Sequence, residues 1–146
     1  MKKMMGLKIV TPEKVIYDSE VESVSFPTVQ GEITVLPNHI PIISAIQPGE
    51  LKIKKDGNVE YFSITRGVLE VDGKSMMLLT DAAERAEEID EKRAEEAKEK
   101  ARKLMSEKRQ DAEGYTEAVA YFERALSRLK VAKKNRRGGH RGSMEQ

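Results

Sequence analysis

The chain has no cysteine and no tryptophan, and only 5% of its 146 residues are aromatic. Without cysteine there can be no disulfide, no thiolate metal site and no thiol nucleophile. No apolar run approaches the roughly 18 residues that a membrane span needs. The opening stretch MKKMMGLKIV carries two lysines but no apolar segment long enough for a signal peptide. A cytosolic protein is therefore expected, and docking on a membrane complex would leave no trace in such a pattern. Charge of one sign is also lacking, since 26 basic and 25 acidic residues give a net charge of +1. That balance argues against a chain built mainly to coat nucleic acid or an anionic membrane.

Two further scarcities are local. All five prolines precede Gly49, and every alanine but Ala45 follows Thr80. Before that point the chain is rich in Val, Ile, Thr and Gly; after it come Ala, Glu, Lys and Arg. Such a change of preference predicts two structural units, a sheet and then helices.

Short apolar runs recur through the first part, from Leu7–Val10 to Met76–Leu79, separated by turn residues. Polarity alternates in Leu51-Lys52-Ile53-Lys54 and Glu70-Val71-Asp72, as in strands with one wet face. Asp56-Gly57 and Asp72-Gly73 supply the positive φ of tight hairpins. The expectation is an α+β chain that opens with a small antiparallel sandwich or barrel. Gly73-Lys74-Ser75 invites a phosphate-loop reading, but five residues separate Gly67 from Gly73 where the motif needs four, and no helix follows. An ordinary hairpin turn is expected there. The segment 31–51 is the least regular, because Pro37, Pro41 and Pro48 forbid a central strand. Ile40, Ile42, Ile43 and Ile46 are expected to find cover in a sharp corner, with Glu32 and His39 as its polar residues. The residues alone leave open a plain buried corner with a solvent-facing His39.

From Asp90, a good N-cap, the pattern turns helical. Ala94, Ala97, Ala101 and Leu104 recur at helical steps, as do Ala118, Phe122, Ala125, Leu129 and Ala132. Gln110–Gly114 should break the two helices, which then form an antiparallel hairpin. Glu96–Lys100 and Glu99–Lys103 have the spacing of i,i+4 ion pairs. The helices have high propensity, but a seam made largely of alanine buries little apolar area. Each helix should persist while the contact between them stays weak. The expected boundaries are a sandwich at 1–82, a linker at 83–89, a hairpin at 90–135 and a disordered basic tail at 136–146.

Four motifs in one order then resemble the epsilon-subunit family of bacterial F-type ATP synthases. They are LPNHIP with Pro48-Gly49-Glu50-Leu51, Arg66-Gly67-Val68-Leu69-Glu70-Val71, Ile89-Asp90-Glu91-Lys92-Arg93-Ala94, and FERALSRLKVA from Phe122 to Ala132. Thr34 departs from the family, which often has a second glycine after Gly31. The resemblance implies a ten-stranded sandwich followed by a two-helix hairpin. It implies a non-catalytic rotor subunit that binds the gamma subunit and stands on the c-ring, with Glu32 and His39 on the edge toward the ring. It implies a hairpin that restrains ATP hydrolysis by extending toward the alpha and beta subunits. The membrane would be met only through the complex, at the cytoplasmic face. No cofactor is required, but some members bind ATP as a regulatory ligand. The matching residues here are Glu84, Ile89, Asp90, Arg93, Lys100, Arg124 and Arg128, with Lys100 standing where the best binders have arginine. The residues alone leave open a solvated charged surface in which Arg93 and Arg128 pair with glutamates. Two other functions remain on this reading: a free ATP sensor, and nucleic-acid binding through the tail from Lys133, which lacks interleaved aromatics.

Overall fold

The computed structural model describes the backbone of residues 3–144 and the side chains of residues 3–136. Two compact units divide between Arg85 and Ala86.

The first unit contains ten strands: β1 (Met5–Val10), β2 (Val15–Val21), β3 (Ser23–Thr28), β4 (Gly31–Val35), β5 (Ile42–Ile46), β6 (Gly49–Lys55), β7 (Asn58–Ile64), β8 (Gly67–Val71), β9 (Ser75–Thr80) and β10 (Ala83–Arg85). They form two five-stranded sheets, ordered β2-β1-β9-β8-β5 and β10-β7-β6-β3-β4. Pairing is antiparallel except between β1 and β9, which run parallel. Period-two alternation makes the core: in β9, Met76 and Leu78 point inward and Met77 and Leu79 outward. Leu7, Ile9, Leu69 and Leu78 of the first sheet and Val24, Phe26, Leu51, Ile53 and Phe62 of the second are fully buried in one cluster.

The expected turns are present. Asp56 and Gly57 have φ of 50° and 79°, and Gly73 has φ of 98°. Asp72 Oδ1 accepts hydrogen bonds from the Lys74 and Ser75 amides at 2.9 and 2.8 Å. These bonds and the one from the Ser75 hydroxyl hold the Asp72 carboxyl below the usual carboxylate range. Lys74 therefore belongs to a hairpin turn, as its context predicted.

Two expectations for this unit are corrected. The linker does not begin at 83, because Ala83, Glu84 and Arg85 pair with Ile64, Ser63 and Phe62 as an added edge strand. Their residue types favour helix, and pairing with β7 overrides that preference. The corner isoleucines do not all find cover either. Ile46 is buried, but Ile40 and Ile43 are 72% and 77% exposed. Asn38 takes φ of 68° and turns the chain so that Ile40 faces outward, while the alternation of β5 sends Ile43 to the outer face.

In the second unit a 3-10 turn (Ala86–Glu88) precedes α1 (Glu91–Glu107) and α2 (Ala112–Met144), and packs against α2. Asp90 is the N-cap of α1, accepting from the Arg93 amide at 3.1 Å. The break is shorter than expected: Asp111 accepts from the Gly114 amide at 3.2 Å, so Gly114 lies in the first turn of α2. The seam is as thin as the sequence suggests. Its buried residues include Ala94, Ala101, Ala118, Ala125, Leu129 and Ala132. Ala97 is not among them and lies exposed. The expected i,i+4 pairs are replaced by i,i+3 pairs, Glu95–Lys98 at 2.9 Å and Glu99–Arg102 at 3.7 Å. The Lys98 hydrogen bond lowers the pKa of Glu95. The helix also passes through Arg136, where the sequence placed the start of a tail, and Arg136 meets Glu91 at 3.4 Å. The rest of that expected tail lies outside the residues described with side chains.

Candidate functional site

The hairpin's residues divide into two groups. Lys100 of α1 and Arg124 and Arg128 of α2 line one hollow of about 360 Å³, with Ala97, Ala101, Leu104, Tyr121 and Ala125 as its walls. Arg124 and Arg128 are one turn apart and project from one face. Small alanines keep the helices close, so cations from both reach the same space. Among the described residues neither Lys100 nor Arg124 forms an ion pair. Three cations around a shallow apolar floor suit a ligand with several negative charges.

Ile89 and Asp90 precede α1, Arg93 stands about one turn before Ala97, and none of the three lines this hollow. Ile89 is buried at 8% exposure. The Asp90 carboxylate caps the helix and lies 3.8 Å from Arg93 Nε. Arg93 thus pairs with an aspartate where the alternative reading expected a glutamate, and such a one-turn pair on an exposed surface is worth little. Glu84 lies in β10, in the other unit. The structure brings three of the seven proposed nucleotide residues together and engages three others in structural roles. Tyr121 was not singled out from the sequence. Its place in the groove depends on which side of the seam it takes, and a count of helical steps does not give that.

On the sandwich, Glu32 lies at the start of the edge strand β4 and His39 beyond its end. Glu32 thus lies on the edge strand of the second sheet, whereas His39 lies in the connection to β5 of the first sheet, near Gly73. Glu32 is exposed and opposite Pro27. His39 is half-buried, with Nδ1 2.7 Å from the Ile40 carbonyl oxygen. Beside this edge is a feature the sequence did not announce. On the outer face of the first sheet Ala45, Val68, Leu79, Val10 and Val15 stand in register, one from each strand. Val15, Val68 and Leu79 are 49%, 45% and 49% exposed. An apolar row across a whole sheet, with Ile43 and Met77 flanking it, marks an interaction surface. Among the described residues no three His, Asp or Glu side chains could hold a metal ion. No helix of the described residues is long and apolar enough to cross a membrane.

Known proteins share this arrangement. Residues 4–86 match the family described as the beta-sandwich domain of the ATP synthase Delta/Epsilon chain, and residues 87–133 match its long alpha-helix domain. The ATP synthase epsilon chain of Herpetosiphon aurantiacus is 43% identical over 130 residues, 89% of this chain and 95% of that one. The epsilon chain of Dehalococcoides mccartyi is 44% identical over 134 residues, 91% of this chain and 95% of that one. Among solved structures, a chain of the Euglena gracilis mitochondrial ATP synthase superposes with a TM-score of 0.77 at 23% identity, over 88% of this chain and 81% of that one. With both domains matched in order and near full-length relatives above 40% identity, the chain belongs to the ATP synthase delta/epsilon family, with the epsilon chains, the non-catalytic subunits of the central stalk.

Proposed function

We propose that this subunit couples the gamma subunit to the c-ring and restrains ATP hydrolysis through a hairpin that opens and closes, with ATP favouring the closed form. The gamma subunit is assigned the apolar row Ala45–Val68–Leu79–Val10–Val15, and the c-ring Glu32 on the β4 edge and His39 in the connection that follows it. The chain meets the membrane only through the complex, at its cytoplasmic face. The observation that carries the switch is the hairpin itself. Its helices are strong by composition, its seam is largely alanine, and three cations from both helices face one hollow.

A ligand bridging Lys100 with Arg124 and Arg128 binds only when α1 and α2 lie side by side. It stabilises that state by about 2.7 kcal/mol at a hundred times its dissociation constant. A full reversal from 1:99 to 99:1 takes about 5.5 kcal/mol. ATP thus biases the switch, and rotor torque or contacts with the alpha and beta subunits complete it. In the open state the same cations are available to acidic surface in the head.

The test is twofold. Titration calorimetry of the isolated subunit with ATP should give saturable heat at millimolar ATP or below, and Arg124→Ala should remove most of it. In the assembled complex, ending the chain after Arg85 keeps β10 and the sandwich but deletes the hairpin. ATP hydrolysis should then rise; an unchanged rate refutes the inhibitory role.

A further inference from the structure

Charge is sorted unevenly along the second unit. Glu87, Glu88, Asp90, Glu91 and Glu95 crowd the entry to α1, and Lys133, Lys134, Arg136 and Arg137 crowd the far part of α2. The acids suit the N-terminus of α1, where the helix dipole favours them. The dipole does not account for the bases, because it acts within the last turn and Arg137 stands about two turns before α2 ends. The antiparallel packing brings the two sets together. Arg136 Nη1 lies 3.4 Å from Glu91 Oε2, and the 3-10 turn that carries Glu87 and Glu88 packs against α2. One turn further into the hairpin, the same register sets Glu95 opposite Lys133. The Glu95 carboxyl senses that neighbour: after the hydrogen bond and charge of Lys98, the Lys133 charge lowers its pKa further. The apolar seam does not reach this end. Among the described residues its last buried member is Ala132, and from Lys133 to Ser143 the sequence has no apolar side chain. The helix nevertheless continues to Met144. Arg136 also lies beyond the matched long-helix domain, which ends at 133.

We propose that Glu91–Arg136 and Glu95–Lys133 form a charge clasp between the entry of α1 and the polar end of α2, which holds the hairpin closed where its apolar seam runs out. The clasp rests on the reading of the hairpin as a two-state switch and adds the force that sets its resting state. Glu91 and Arg136 are 35% and 68% exposed, and water weakens each such pair. The clasp is therefore a bias and not a lock. Two pairs acting together should shift the ratio of closed to open hairpin about fivefold, which is about 1 kcal/mol. Because the groups are exposed, salt controls them. The screening length falls from about 10 Å at 0.1 M to about 3 Å at 1 M ionic strength. Ionic strength thus loosens the clasp and leaves the apolar contacts of Ala101, Ala125 and Leu129 in place.

The experiment measures the separation of the two helices in the full chain. The sequence has no cysteine, so Glu96→Cys and Lys130→Cys, both at exposed positions, carry a pair of spin labels that report closed and open hairpins. On this background, Lys133→Glu with Arg136→Glu should raise the open-to-closed ratio at least about fivefold, and Glu91→Arg with Glu95→Lys should do the same. All four changes together restore opposite charges across the helices and should return the ratio to near its starting value. Raising NaCl from about 0.1 to about 1 M should open the starting protein about fivefold and leave Lys133→Gln with Arg136→Gln unchanged. If the four changes open the hairpin further than either pair does, the charges act on their own helix ends and the clasp is refuted. If Leu129→Ala opens the hairpin while neither reversal nor salt does, the switch stands and the clasp falls. If none of the variants opens it, the two-state reading falls as well. Circular dichroism should show the same helicity in every variant, which separates opening from fraying.

Discussion

The guanidinium of Arg85 lies 5.2 Å from the centre of the Phe62 ring, at the edge of the second sheet. It also lies 5.7 Å from the Tyr17 ring, which comes from the edge strand of the other sheet. Tyr17 and Phe62 meet edge to face with their centres 5.9 Å apart. Glu60, inward-facing on β7, completes the group with Oε2 3.6 Å from Arg85 Nη1. That distance is an ion pair but too long for a hydrogen bond, and Glu60 Oε2 is buried without a hydrogen-bond partner. Inward charges at a strand edge guard it against pairing with other chains. Here they also hold the last residue of the sandwich in place, one residue before the helical unit begins.

Arg85→Ala should therefore loosen β10. A partly exposed cation–π contact is worth about 0.5–1 kcal/mol, and the ion pair less than about 1 kcal/mol. Loss of both, with Glu60 left unpaired, should lower sandwich stability by about 1–2 kcal/mol. Urea unfolding measures it. Hydrogen exchange should show the amides of 83–85 released while those of β1 and β8 stay protected. Arg85→Lys should recover little, because an ammonium does not stack as a planar guanidinium does.

The same corner gives a pH dependence. Burial first, and then the Glu60 charge, push the Tyr17 phenol above its ordinary value of 10.0, against smaller opposing effects of Ser19 and Arg85. The unfolded chain then releases this proton before the folded one does. The contribution is fully present below about pH 10 and is lost as pH rises through the higher folded value. Tyr17→Phe should flatten that part of the alkaline stability profile. Thermal melts of both proteins between pH 9 and 11.5 would show the difference, and parallel profiles would refute it.

How much of this was legible beforehand depended on how local the cause was. The Asp72-Gly73 turn and the Asp90 cap are settled within three residues, and both appear as the sequence suggests. β10 was not legible, because Ala-Glu-Arg reads as helix and only the Phe62 and Tyr17 rings make it a strand end. Ala97 has the same helical spacing as Ala94 and Ala101. Periodicity places it on the right face but cannot say that it stays exposed at the groove while they are buried in the seam. Ile43 was expected to be covered because it is apolar. Strand alternation exposes it, and its neighbours in the outer face turn an apparent packing fault into an interaction surface.

Gly67 tests how closely β8 and β9 must approach. A Cβ there would lie 2.2 Å from the Leu79 carbonyl oxygen and 3.0 Å from the Thr80 Cα. Both are backbone atoms, so one strand must move. Beside them Thr65 and Thr80 pair their buried hydroxyls at 3.1 Å. Gly67→Ala should cost more than about 1 kcal/mol, lowering the melting temperature of so small a domain by at least about 4 °C. Because the displaced Leu79 belongs to the apolar row, gamma-subunit binding should weaken as well, measurable by co-purification of the two subunits.

Lys100→Arg asks whether a planar fork improves the proposed phosphate site. Lysine offers a point charge on a flexible stem, whereas arginine can bond two phosphate oxygens at once. One additional charge-assisted hydrogen bond is worth about 1.5 kcal/mol, so ATP affinity should rise about tenfold. Unchanged affinity in calorimetry would mean that position 100 does not touch the phosphates.

Leu129 is the residue through which the proposed switch can be tilted. It is 4% exposed in a seam whose other buried members are mostly alanine. Leu→Ala at a buried site usually costs about 2–5 kcal/mol, and here the loss falls on the contact between two helices that are each strong alone. α1 and α2 should remain helical while their association fails. Circular dichroism would then change little, whereas hydrogen exchange at Ala101 and Ala125 would rise. The opened hairpin should bind ATP more weakly, because Lys100 no longer faces Arg124 and Arg128. In the assembled complex the same substitution should deepen inhibition of ATP hydrolysis and make it harder for ATP to relieve. Deleting the hairpin after Arg85 should do the opposite and release hydrolysis. A seam that is weak by design predicts these opposite signs, whereas a rigid hairpin predicts that Leu129→Ala and the deletion would both relieve inhibition.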